Sequence, residues 1–390
     1  MRQVYLDYSA TTPVKKEVLE EMLPYFSEKF GNPSSLYGIG LNAKSDLNQA
    51  RAKVAKLIGA DEREIYFTSC GTEADNWAVI CTARAKKAKG NHIITTSIEH
   101  HALLHSCEYL EKEGFEVTYL DIDNKGRISL EDLENAITDK TILISIMFAN
   151  NEIGTIQPIK EISDIAKKYG IWFHTDAVQA LGNVPINVKE LGIDMMSMSA
   201  HKIYGPKGIG ALYIKKGVVI PSFMNGGAQE NKRRAGTENM PGVIGFAKAA
   251  ELAEANLDEH IKRISELRNY FAEQITSKIP EVEINGSMEH RLPGNINFIF
   301  NYIEGEALLL LMDSKGIYAS TGSACSSASL TPSHVLKALC LPYEKIHSSI
   351  RFTVGDFTTK EDIDYTVEEL IKIVEKLRAI SPIYKQSTKG

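Results

Sequence analysis

Strand-like and helix-like segments alternate between residues 64 and 214, and this alternation limits the fold more than any other feature. The apolar run "TILISIMFA" is continuous, as expected for a strand buried on both faces. The segment "IKEISDIAKKYG" has apolar residues at helical spacing and ends at Gly170. Repeated βα units of this kind favour an α/β fold with a mostly parallel sheet and helices on both faces.

The pattern changes after about residue 251. A long charged segment, "AEANLDEHIKRISELRNYFAEQI", predicts one helix, and it leads into the strand-like runs "NINFIF" and "SIRFTVG" and a final helix. A chain of 390 residues is too long for one ordinary core. We therefore expect a large domain over residues 15–255 and a smaller α+β domain formed by residues 1–14 and 256–390.

Composition excludes several classes of protein. The chain is 43% hydrophobic and 24% charged, which is typical of globular proteins, and its net charge of −6 favours neither nucleic acid nor an anionic membrane as a partner. No apolar run approaches the ~18 residues of a membrane-spanning helix, and "MRQVYLDYSATTP" has no secretory signal. The five cysteines are scattered without metal-ligand spacing, which suits a reducing compartment. We expect a cytoplasmic protein without a metal site.

Two turns of the predicted sheet carry candidate binding residues. In "FTSCGTEADN" a strand ends and a helix begins, so Gly71 and Thr72 lie where free backbone N–H groups bind phosphate. Every βα unit has such a turn, however, and Thr72 alone is also explained as an ordinary helix cap. In "WFHTDAVQA" Asp176 ends a buried strand, where it is either a cap or a site carboxylate, and Gln179 follows three residues later.

A third turn, "SMSAHKIYGPKGIG", places Lys202 after Ser199 and His201, two possible phosphate donors. Most lysines in turns are simply solvated. Here, however, the lysine shares a sheet edge with a carboxylate and a candidate phosphate site. Pyridoxal 5'-phosphate (PLP) requires an anion cradle, an amine for its aldehyde and a carboxylate for its ring nitrogen. The combination points to PLP.

An ordered set of motifs resembles the PLP-dependent cysteine desulfurases of the NifS/IscS type. The motifs cover nearly the whole chain and are "YLDYSATTP", "GNPSS", "GTEADN", "EHHA", "NNEIG", "HTDAVQ", "SAHKIYGPKGIG", "RRAGTEN", "STGSAC" and "SIRFT". The resemblance implies an aspartate-aminotransferase-like homodimer (PLP fold type I) that converts L-cysteine to L-alanine. The sulfur, held as an enzyme persulfide, would supply iron–sulfur cluster assembly, other thio-cofactors or tRNA thiolation. An IscU/NifU-like scaffold or another sulfur acceptor is the implied partner.

The resemblance also implies a role for each matching residue. Lys202 would form the Schiff base, and His100 would stack on the cofactor ring and help in proton transfer. Asp176 would pair with the ring nitrogen and Gln179 with the ring hydroxyl. The phosphate contacts would be Gly71, Thr72, Ser199, His201 and, from the second subunit, Thr237. Asn151 would contact cofactor and substrate, and Arg351 would grip the substrate carboxylate.

The stretch "ASTGSACSSAS" holds Cys325 among small neutral residues, and we expect a loop. Cys325 matches the family's nucleophile, which receives the substrate sulfur as a persulfide. Family members usually have a small residue where this chain has Cys70, so Cys70 is either a second reactive thiol or a small residue filling a tight turn. Three other functions remain open: selenocysteine lyase, another PLP enzyme such as an aminotransferase, and a non-catalytic scaffold of the same fold.

Overall fold

The computed structural model describes residues 2–322, 332–382 and 384, so the loop predicted around Cys325 lies outside the described residues. The strands, in chain order, are β1 (Val4–Tyr5), β2 (Ile65–Thr68), β3 (His92–Thr96), β4 (Glu116–Leu120), β5 (Thr141–Ser145), β6 (Trp172–Asp176), β7 (Met195–Ser199), β8 (Gly210–Ile214), β9 (Val282–Asn285), β10 (Asn295–Phe300), β11 (Ile317–Tyr318) and β12 (Ser349–Thr353).

The α-helices are α1 (Lys16–Met22), α2 (Pro24–Ser27), α3 (Gly38–Leu57), α4 (Gly71–Lys86), α5 (His101–Lys112), α6 (Leu130–Asn135), α7 (Ile159–Lys168), α8 (Val188–Leu191), α9 (Gln229–Lys232), α10 (Met240–Ala255), α11 (Leu257–Lys278), α12 (Gly305–Asp313), α13 (His334–Ala338), α14 (Tyr343–His347) and α15 (Lys360–Ile380). Two short 3₁₀ helices cover Glu62–Glu64 and Ala200–Lys202. Of the helices formed by the described residues, none is both long and apolar enough to cross a lipid bilayer.

The largest sheet has seven strands in the order β2-β8-β7-β6-β5-β3-β4. Neighbouring strands are parallel from β7 to β4, whereas β8 runs antiparallel to both β7 and β2. The central strands β5 and β7 are buried along their whole length, which explains why their sequences are continuous runs rather than alternating patterns. The prediction of a mostly parallel sheet in an α/β fold is confirmed.

Two local predictions were wrong in extent. The strand predicted over "TILISIMFA" ends at Ser145 in β5, although Phe148 still donates a hydrogen bond to Asp176 O (2.8 Å). The single long charged helix is divided at Asn256 into α10 and α11. The Asn256 side chain donates to Leu252 O (2.8 Å), so it competes with the main chain for a helical carbonyl.

A smaller, three-stranded antiparallel sheet, β12-β10-β9, has its own hydrophobic cluster. Phe271 of α11 packs edge-on against Phe298 and Phe352, with ring centroids 5.7 and 5.2 Å away. Val4 belongs to the same cluster, because β1 pairs with β11. The limits given above for the two domains stay a prediction.

A buried ion pair holds strand β2, which leads directly into α4. Arg51 of α3 donates to both carboxylate oxygens of Glu230, at 2.6 and 2.7 Å, and Glu230 also accepts from the N–H of Phe67 (2.9 Å). Arg51 is 7% exposed and Glu230 6%. The pair therefore ties α3 and α9 to the strand that precedes the predicted phosphate turn.

We predict that Glu230→Gln destabilises the fold by about 3–5 kcal/mol, because it leaves the Arg51 guanidinium buried without its counter-ion. Asp164→Asn is the control, because it breaks the exposed Lys160–Asp164 pair on α7 and should cost less than ~0.5 kcal/mol. The midpoint of urea unfolding measures both effects. Equal, small shifts for the two variants would contradict the structural role of the buried pair.

Candidate active site

A cavity of ≈ 210 Å³ lies at the carboxyl ends of β6 and β7, beside the start of α4. Ligands of open α/β sheets bind at this edge. Its lining includes most of the residues that the sequence predicted, and these are Gly71, Thr72, His100, Asn151, Asp176, Gln179, Ser199, His201, Lys202 and Arg351. The structure therefore brings together side chains that lie up to 280 positions apart in the sequence, from 71 to 351.

The N-terminus of α4 forms one wall of this cavity. The first N–H groups of a helix have no partner within the helix, and the N-cap residue, Cys70, makes no side-chain cap. A Cβ on Gly71 would lie 2.7 Å from Cγ2 of Val178, so a larger residue would disturb the wall. Ser199 lies beside Gly71, with its Cβ 3.7 Å from that added Cβ; it is 2% exposed, and its Oγ has no hydrogen-bond partner among the described residues. The arrangement suits an anion.

Glu73 lies in the first turn of α4 and would oppose an anion there. Arg234 neutralises it, with Nε 2.8 Å from Oε1 and Nη2 3.0 Å from Oε2. Burial acts to raise the pKa of Glu73, but the hydrogen bonds from Arg234 and Ser69 hold that pKa below its ordinary value. The ion pair leaves the helix dipole free to attract an anion.

Lys202 follows β7 in a 3₁₀ turn, and its ammonium contacts the N-terminal segment. Nζ donates to Ser9 O and to Ala10 O (2.8 Å), and Gln179 Nε2 also donates to Ser9 O (3.0 Å). Sequence reasoning missed Ser9 and Ala10, because they act through main-chain carbonyls that any residue provides. The motif "YLDYSATTP" that contains them was the only available signal.

Asp176 ends β6 at the floor of the cavity and is 7% exposed. Burial raises its pKa, while the N–H of Val178 (2.9 Å from Oδ1) and the charge of Lys202 act in the opposite direction. A second buried carboxyl, Asp75, also lines the cavity. Burial and the nearby charge of Asp176 both raise the pKa of Asp75 well above its ordinary value. A cationic group bound here would stabilise the ionised form of both carboxyls and lower their pKa values. Asp75 was missed, because an acidic residue early in a helix usually serves the helix dipole.

His100 is the N-cap of α5, and its Nδ1 accepts the N–H of Ala102 at 3.2 Å. Burial, aided by the nearby charge of Lys202, lowers the pKa of His100 to about 4. The imidazole is therefore neutral at physiological pH and carries its proton on Nε2. Burial likewise lowers the pKa of His201 to about 4.

Arg351 of β12 reaches the cavity from the second sheet and is 1% exposed. Its Nη2 lies 2.6 Å from Asp7 Oδ1, and its Nη1 donates to Asn151 O at 3.1 Å. Its Nε has no partner among the described residues. The guanidinium is thus fixed in the wall by two of its five N–H donors, and the Nε–H is among those that remain. Asp7, its counter-ion, was not singled out from the sequence.

Two predicted residues are not part of this cavity as the structure describes it. Thr237 is exposed, between α9 and α10, and does not line the cavity of its own chain. Cys325 lies outside the described residues. Among the four described cysteines, all with free thiols, only Cys70 lines the cavity.

Comparison with known proteins places the chain in a family. Residues 4–366 match the aminotransferase class-V family. The chain is 57% identical to a cysteine desulfurase IscS of Clostridium botulinum, with 100% of this chain and 98% of that protein covered. It is 59% identical to a cysteine desulfurase IscS of Methanosarcina thermophila, at 98% and 94% coverage.

A solved structure of a NifS-like protein superimposes with a TM-score of 0.91 at 39% identity, covering 96% of this chain and 100% of that one. The chain therefore belongs to the aminotransferase class-V family and, within it, to the PLP-dependent cysteine desulfurases of the NifS/IscS type.

Proposed function

We propose that the cavity is the site where this cysteine desulfurase converts L-cysteine to L-alanine, and that the sulfur passes to Cys325. One observation carries the proposal. An amine (Lys202), a buried strand-end carboxylate (Asp176) and a helix N-terminus facing a buried hydroxyl without a partner among the described residues (Ser199) line the same cavity. No observation on the described residues favours a selenocysteine lyase, an aminotransferase or a non-catalytic scaffold.

These groups fit PLP. The N–H groups of α4 and the hydroxyls of Thr72 and Ser199 would hold its phosphate. Lys202 would bond covalently to its aldehyde, and Asp176 would pair with its ring nitrogen. His201, Gln179 and His100 would complete the contacts. When bound, PLP supplies an electron sink that stabilises negative charge at the substrate Cα.

Substrate binding would fall to Arg351 of the second sheet, and proton transfer to Lys202 and His100, which line the same cavity. Arg351 would bind the substrate carboxylate through its remaining donors, beside Asn151. The Lys202 amine and the neutral His100 imidazole would accept and return the Cα proton. Because Asp7 and Asn151 O fix the guanidinium, the carboxylate would be held in one orientation.

Sulfur transfer requires a thiolate. Cys325 would attack the substrate sulfur, the carbon–sulfur bond would break, and the sulfur would stay on Cys325 as a persulfide. Protonation of the three-carbon product then releases L-alanine. Burial raises the pKa of the Cys81 thiol to about 11, and the pKa of buried Cys107 is also raised, so neither suits the reaction. Cys70 is the rival, since it lines the cavity.

The chain would work as a homodimer in the cytoplasm and pass its sulfur to an acceptor protein such as an IscU/NifU-like scaffold. Thr237 would contribute a phosphate contact to the partner subunit's site. In support, large apolar side chains are exposed by 47–91% in the segment that runs from α1 to the start of α3, and a second copy would cover them. They are Leu19, Leu23, Phe26, Phe30, Leu36, Tyr37, Ile39 and Leu41.

We predict that Cys325→Ser binds PLP and still shows absorbance changes with L-cysteine, because the chemistry at Cα needs no thiol. It should lose alanine release by about a thousandfold, equivalent to ~4 kcal/mol of activation free energy. Alanine and sulfide are assayed with L-cysteine and a thiol reductant, and mass spectrometry locates the added sulfur.

Cys70→Ser is the control for this experiment and should keep most of the activity. A persulfide on Cys70, together with an active Cys325→Ser protein, would show that the wrong thiol has been assigned.

A second prediction concerns pH. Because the pKa of His100 is about 4, its neutral form predominates from about pH 6 to pH 9, and the rate of Cα proton transfer should show no step from His100 there. The rate should fall as the pH approaches 4, since an imidazolium cannot accept a proton. Single-turnover absorbance changes with L-cysteine test this in the parent and in His100→Gln. A fall in this rate centred near pH 6.5, seen in the parent protein but not in His100→Gln, would show that the pKa of His100 is not lowered.

A further inference from the structure

Glu152, in the "NNEIG" motif, contacts both chain segments that flank residues 323–331. On one flank Ser333 Oγ donates to Glu152 Oε2 at 2.6 Å. On the other, Gly322 packs against the same carboxylate, because a Cβ there would lie 2.9 Å from Oε2. Two positions that are eleven residues apart in the sequence thus meet at one oxygen atom.

Each flank is also attached to the cavity wall. Ser320 exchanges two main-chain hydrogen bonds with Arg351, at 2.6 and 3.2 Å. On the other flank, His334 Nε2 donates to Glu99 O at 2.9 Å, and Glu99 directly precedes His100. Glu152 therefore joins two points that already border the substrate and cofactor contacts.

The main chain holds Glu152 independently of its carboxylate. Its N–H donates to Asn150 Oδ1 (2.8 Å), and its carbonyl accepts from Asn297 Nδ2 (3.2 Å). The residue is 1% exposed. Loss of the carboxylate should thus leave the turn, and with it Asn151, in place.

We propose that Glu152 is a positioning residue for sulfur transfer, which fixes the two flanks so that the Cys325 thiol is presented to the substrate sulfur. The inference rests on the proposed role of Cys325. Cys325 follows Gly322 by three residues, a length of chain that spans at most ~11 Å when extended. Fixing this attachment point, and the opposite one at Ser333, raises the effective concentration of the thiol at the cavity.

The test measures the first-turnover rate of persulfide formation on Cys325 by rapid quenching and mass spectrometry. Glu152→Ala should slow this step by about 10- to 100-fold, as expected for a misplaced reacting group. PLP affinity and the L-cysteine concentration that half-saturates the absorbance change should not move. A general loss of structure would impair all three quantities together, and that result would overturn the proposal.

Ser333→Ala should also slow persulfide formation, and the double variant with Glu152→Ala should be no slower than Glu152→Ala alone, because both remove one contact. Ser333 also caps α13, so the matched control is Ser129→Ala, which removes the equivalent cap of the short helix α6. This control should react at the parent rate. Additive effects of Glu152→Ala and Ser333→Ala would contradict a shared contact.

If Glu152→Ala does not fold, Glu152→Gln keeps the side-chain shape but loses the charge that strengthens the bond to Ser333. A several-fold slower persulfide step with unchanged PLP affinity supports the proposal, and the parent rate overturns it. Failure of the proposed function can be told apart from failure of this proposal. If the proposed function were wrong, even the protein without any substitution would form no persulfide on Cys325.

Discussion

A carboxylate buried at the end of a central strand, Asp176 on β6, is the constraint around which the active site is arranged. Removing a carboxylate from water costs several kcal/mol unless hydrogen bonds and a cation compensate. The N–H of Val178 and the charge of Lys202 offset part of this cost, and the pKa of Asp176 is raised despite them. The ring nitrogen of PLP would supply the cationic partner that Asp176 still lacks.

The seven-stranded sheet makes this arrangement rigid. Because β6 and β7 are parallel neighbours, Asp176 and Ser199 end at the same edge of the sheet, and Lys202 follows only three residues after Ser199. The N-terminus of α4 meets that edge, where Gly71 allows the close approach to Val178. The second sheet then adds Arg351, so the carboxylate-binding group is held apart from the groups that would bind the cofactor.

The sequence allowed the sheet, the strand ends and most side chains of the cavity to be predicted, because buried parallel strands and βα turns have local signatures. By pattern alone, Asp176 could be placed at the end of a strand and Lys202 on a turn. Their combination pointed to PLP, and the family resemblance then implied a role for each residue. Asp7, Ser9 and Glu152 could not be found in this way. Asp7 and Glu152 act on partners at least 170 positions away, and Ser9 acts through its carbonyl. Only the three-dimensional fold brings such partners together.

The most direct test of the account is to reduce the PLP-loaded protein with borohydride and locate the modified lysine by peptide mapping. The proposed site predicts label on Lys202 alone, and loss of that label in Lys202→Ala. Lys207 lies in the same glycine-rich turn and serves as an internal control for non-specific reaction. Label on Lys207 or another lysine, with Lys202 unmodified, would contradict the assignment of this cavity as the active site.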